Sequence, residues 1–202
     1  MSFVKYLQSS ALAATVIIPT GAMAVDDVEN FSARGLGALP CSDLISMVTG
    51  PQRDVSSELI VAWLAGYISH ANRTTPDTYD TVPVQNLYGV ATVLARICEG
   101  NPSTIVEPIA HTILTTFQPL ALSEAEELQE ISNDTTTIRI ATSVIQHVQS
   151  RLIERGLLPE GSADGAFGPM TRTALSEFQE GLGMTATGIP DPITVYLLET
   201  SS

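Results

Sequence analysis

Apolar positions recur every three to four residues over most of the chain, which predicts helices rather than strands. Cys41, Leu44, Ile45 and Val48 share one face, and Gly50-Pro51 stops the run, so a short helix is expected there. From Ser56 to Ala71 the set Leu59, Ile60, Trp63, Leu64 and Tyr67 keeps the helical period and reads as a central buried helix. Arg73 to Thr81 is polar and contains Pro76, so it reads as a loop. Val84, Leu87, Ala91, Leu94 and Cys98 alternate by three and four, an amphipathic helix with the second cysteine on its apolar face. Asn101-Pro102 reads as an N-cap followed by Pro at the first helical position. Ile105, Ile109, Ile113 and Phe117 then predict a fourth helix, which Pro108 should kink or delay.

Between this region and the C-terminal one, Ser123-Glu124-Ala125-Glu126 matches a capping box and predicts a short acidic helix to about Ile131. Ser132 to Thr137 reads as a polar linker. Past it, Val148, Leu152 and Ile153 recur at helical spacing until Gly156, and Asp164-Gly165 is a turn dipeptide. Gly168-Pro169 starts a second helix whose apolar face is Ala174, Leu175 and Phe178, ended by Gly181 and Gly183. A slide of about 23 residues aligns Gly165, Pro169, Thr171 and Leu175 with Gly188, Pro192, Thr194 and Leu198, so the turn and its helix occur twice.

With Asp164, Gly165, Phe167, Gly168, Thr171, Ala174, Phe178, Gln179, Thr187 and Gly188 in this order, residues 144–199 resemble the peptidoglycan-binding domain 1 family. The resemblance implies a small three-helix module that binds bacterial cell wall without catalysis, in a shallow recess shaped by its glycine corners. Phe167, Ala174, Leu175 and Phe178 suit the core better than a ligand surface. Thr171, Arg172, Gln179 and Thr187 are the polar candidates for contact, and a plain solvated face accounts for them equally well. With Asp164, Gly165, Phe167, Gly168 and Gly188 they make up the expected peptidoglycan-binding set.

The motifs Cys41-Ser-Asp-Leu-Ile, Val61-Ala-Trp-Leu-Ala-Gly-Tyr, Gly89-Val-Ala-Thr-Val-Leu and Cys98 with Asn101-Pro102 resemble, over residues 40–117, the HdeA family of periplasmic acid-stress chaperones. That resemblance implies a helical domain meeting client or partner proteins, with acid loosening the fold to expose apolar surface.

Composition changes the picture at the N-terminus. Residues 1–24 carry Lys5, an apolar run from Ala11 to Ile18 and Ala22-Met23-Ala24 at a small-x-small site, which reads as a secretory signal. Pro19, Thr20 and Gly21 break the run too early for a membrane anchor, so the mature protein is expected in the periplasm with no stable membrane anchor. Removing the segment takes away the only lysine and leaves Arg alone against 22 Asp plus Glu, a chain that repels nucleic acid and anionic membranes.

In an oxidising compartment the two cysteines, Cys41 and Cys98, are expected to pair; a catalytic thiol would want a nearby histidine motif. His70, His111 and His147 are far apart, no metal-ligand spacing or nucleophile motif occurs, and the paired carboxylates sit in acidic runs without an aromatic cleft. No catalytic residue, metal or cofactor is therefore expected. The expected fold is all-α: a disulfide-linked four-helix domain (40–118) after a signal peptide (1–24) and an irregular acidic leader (25–39), then the acidic helix and linker (119–140) and a three-helix module (141–202).

Overall fold

The computed structural model describes residues 31–201. The signal segment and residues 25–30 of the leader lie outside them. Most described residues are helical, and the helices fall close to where the apolar period puts them. A 3-10 turn at Gly35–Ala38 leads into α1 (Cys41–Thr49), which buries Cys41, Leu44 and Val48. Helix α2 (Arg53–Thr74) follows, then α3 (Leu87–Gly100) and α4 (Val106–Phe117).

The helix read as central is not the central one. Leu59 on α2 is 57% exposed, and Trp63 and Tyr67 are only partly buried, stacked on each other at 5.1 Å between ring centroids. The buried line of α2 is instead Ser56, Ser57, Ile60, Leu64 and Ile68. The middle position belongs to α3, which buries Val90, Ala91, Val93, Leu94, Ala95, Ile97 and Cys98 and packs against α1, α2, α4 and α7 (Pro192–Thr200). Helical spacing gives a face, but not how much of that face a neighbour covers.

Cys41 and Cys98 form the expected disulfide, tying the head of α1 to the last turn of α3 across 57 positions of sequence. In the chain-entropy account a loop of this length contributes about 4 kcal/mol. Asn101 does not cap the fourth helix. It ends α3, its Nδ2 donating to Ile97 O at 2.8 Å, and α4 begins later, at Val106. Pro108 then falls in the first turn of α4, where an N–H would have no helical acceptor, so it delays the helix without kinking it.

Between α4 and the C-terminal helices the structure departs from the all-α expectation. Residues read as an acidic helix and linker form an antiparallel hairpin, β1 (Leu128–Ser132) and β2 (Thr137–Ala141), with Ile131 opposite Ile138. Alternation decides it: Ile138 and Ile140 point into the core while Thr137 and Arg139 stay exposed, and β-branched residues suit such a surface. The turn is tied by Asn133, whose N donates to Thr136 O and whose Oδ1 accepts from the N–H groups of Thr135 and Thr136. Glu126, read as part of a capping box, does cap a helix, but a different one. Its carboxylate accepts from Ser143 N at 3.2 Å and Ser143 Oγ at 2.7 Å, at the head of α5 (Thr142–Glu154).

Helices α5, α6 (Pro169–Gly181) and α7 complete the chain. Buried apolar residues form one cluster from Leu36 to Leu198. Helix α7 packs on α3 and α4, with Tyr196 edge-on to Phe117 at 6.3 Å. Gly89 on α3 makes this approach possible, since a Cβ there would lie 2.6 Å from Cδ of Pro192.

Candidate functional site

Each glycine corner of the C-terminal module is built by the same device. At the first, Gly165 adopts φ 75°, a left-handed conformation that glycine enters without the steric cost of a Cβ. Its N–H donates to Oε1 of Gln149 at 2.8 Å, and Nε2 of the same side chain lies within hydrogen-bond distance of Asp164 Oδ1, Ala166 O and Thr171 Oγ1. At the second, Gly188 adopts φ 61° and donates to Oε1 of Gln179 at 2.8 Å, while Nε2 of Gln179 reaches Thr187 Oγ1, Ile189 O and Thr194 Oγ1. The repeat seen in sequence is thus a repeat of hydrogen bonds. Both glutamines are 1% exposed.

The corners differ in their surroundings. Asp164 is exposed, and the bonds from Ala166 N and Gln149 hold its carboxyl below the usual range. At the second corner Thr187 replaces the acid, and Asp191 caps α7 by accepting from Thr194 N at 2.9 Å. Burial pushes the Asp191 carboxyl up, against the hydrogen bonds from Thr194 that lower it.

The residues expected to contact ligand separate accordingly. Thr171 and Gln179 are buried and spent on the corners, so their place is structural. Thr187 also braces the second corner, its Oγ1 meeting Gln179 and the N–H of Ile189. Gly165 is buried and Gly168 half-buried at the head of α6. Phe167 and Arg172 come together on the surface, the guanidinium 5.0 Å from the ring centroid. Sequence reasoning missed Gln149; its available signal was a glutamine ahead of each corner.

Hairpin residues that were assigned to an acidic helix and a linker border both corners. Nε2 of Gln129 donates to Gly165 O and Thr142 Oγ1, each at 2.9 Å, and Nδ2 of Asn133 lies 3.5 Å from Thr187 O. Arg172 donates to Ser132 O at 3.2 Å. The space expected to be an open recess between the corners is therefore walled by the protein's own strand. A separate, open apolar cleft of about 320 Å³ lies between the 157–159 segment and the start of α6, with Met170 at its rim.

Doubled glycine corners, each braced by a buried glutamine and followed by a Pro-started helix, have a counterpart among known families. Residues 142–198 match the family model described as "Putative peptidoglycan binding domain". The match starts on the first residue of α5 and ends within α7, so it covers the three helices and both corners. This part of the chain is similar to that family, and the hairpin that borders its corners lies outside the matched residues. No curated protein and no solved structure matches the chain. The peptidoglycan-binding-type match does not reach residues 40–117, and nothing found there carries the HdeA resemblance further. Among the described residues no group of three or more His, Cys, Asp or Glu is placed to hold a metal ion, and no helix is long and apolar enough to cross a membrane.

Proposed function

We propose that this is a non-catalytic periplasmic protein that binds peptidoglycan through its C-terminal helices and presents the disulfide-tied helices for contact with other proteins. The observation that carries the first half is the family match over residues 142–198, together with corner geometry repeated in full. Export is supported by the pattern of residues 1–24, and protein contact by Val55 and Leu59, exposed one turn apart on α2.

Acid activation is not part of the proposal. Where burial dominates a carboxylate here, at Asp80 and Asp191, it raises the pKa. A raised carboxylate makes the folded state bind its proton more readily than the unfolded one, so acidification relieves a cost at these two sites, whereas the lowered Asp164 carboxyl loses its contribution as pH falls.

The test is co-sedimentation of residues 25–202 with purified sacculi. A fragment holding only the C-terminal helices would lose β1 and lay bare the α7 surface that α3 and α4 cover. Binding that saturates, with no soluble fragments released from labelled wall, is the expected result. Failure to sediment refutes wall binding, and released fragments refute the non-catalytic half.

A further inference from the structure

Arg172 is fixed at two points, over the Phe167 ring and on the Ser132 carbonyl, yet no carboxylate among the described residues lies within ion-pair distance of it. A guanidinium has five N–H donors, and the bond to Ser132 uses one. In a chain with 22 acidic side chains, a pre-positioned cation without an acid partner is suited to an anion supplied from outside.

The strand beside it is also incomplete. Gln85 N donates to Arg139 O at 2.9 Å, so the Arg139 carbonyl points away from β1. Arg139 pairs with Glu130, which makes this a non-hydrogen-bonded pair of the antiparallel ladder. The N–H and C=O of Glu130 therefore point off the free edge of β1, as does the Ser132 carbonyl that Arg172 meets. Glu130 is exposed, and among the described residues its peptide groups have no backbone partner across that edge. Residues 130 and 132 stand about 7 Å apart along a strand, roughly the reach from one amide of an extended peptide to a carboxylate two residues on.

We propose that the free edge of β1, Arg172 and Phe167 together hold the peptide stem of the wall rather than its glycan. The free C-terminal carboxylate sits on the Arg172 guanidinium, and a stem amide pairs with the Glu130 backbone. Guanidinium and carboxylate match in a two-bond fork, while strand addition supplies main-chain bonds independent of side chain. Phe167 holds the guanidinium in place and offers an apolar face to a small stem side chain. This inference rests on the wall-binding reading above.

The experiment titrates residues 25–202 with a synthetic stem pentapeptide as free acid and as C-terminal amide, beside sacculi sedimentation. The free acid is expected to bind about tenfold or more tightly than the amide, since amidation removes the charge-assisted bonds. Arg172→Gln should lose that preference, and Arg172→Lys should keep part of it by charge without the fork. Sacculi bound, with acid and amide held equally or neither held, overturns the stem assignment and leaves wall binding intact. Arg172→Gln retaining the full preference overturns it as well. If Arg172→Gln does not fold, the acid and amide comparison on the unaltered chain decides. No sedimentation with sacculi removes both readings.

Discussion

Removing the glutamine that braces the second corner should cost more than removing its twin at the first. In Gln179→Ala, Gly188 N–H loses its acceptor and Ile189 O loses the Gln179 donor at a site where Ile189, Asp191 and Thr194 are all buried. Each buried group left unpaired costs about 1–3 kcal/mol, which gives about 4 kcal/mol before any cavity term. In Gln149→Ala the Gly165 N–H is stranded in the same way, but Asp164 and Ala166 are exposed and take water in exchange. About 2 kcal/mol is expected there. Urea unfolding followed by far-UV circular dichroism gives both numbers, and the larger one lowers the melting temperature by about 8–16 °C in a chain of this size. Equal costs at the two corners, or Gln179→Ala below about 1 kcal/mol, would refute the view that these side chains are the internal struts of the module.

Three further outcomes follow from the packing and the buried acid. Gly89→Ala pushes a methyl group to 2.6 Å from Pro192 and should destabilise by about 1–3 kcal/mol in a thermal melt. Gly66→Ala, in open space on α2, should instead stabilise by about 0.5–1 kcal/mol, and the same sign for both would contradict the α3–α7 contact. Asp191→Asn keeps the cap on α7 but removes the buried carboxylate. The cost of ionising Asp191 is present at neutral pH, shrinks as pH falls through its raised value, and vanishes below the ordinary value of about 3.9. Over that window the unaltered protein should gain stability relative to the variant, and identical pH profiles by denaturant titration would show that Asp191 is not the group responsible.

What the sequence made legible was local. Caps, stops and period placed α1, α3, α6 and α7 close to their observed ends, and the cysteine pair needed only its compartment. The hairpin escaped because a Ser-x-x-Glu signal is as good for a carboxylate reaching a distant helix head as for one capping its own, and Glu126 does the former. At the corners Gly165 and Gly188 were recognisable from turn chemistry, whereas the work of Gln149 and Gln179 depends on burial, which no spacing reports. Arg172 and Phe167 were both singled out, but the bond from Arg172 to Ser132 joins segments forty residues apart.

The contact of Pro192 with Gly89 has a mechanical consequence. A pull on the C-terminal helices passes from α7 straight into α3, and from α3 through a covalent link into α1, with no slack tether in the path. Under the wall-binding proposal the protein would transmit load like a bracket instead of trailing on a leash, and α2 would be held at a set orientation to the sacculus.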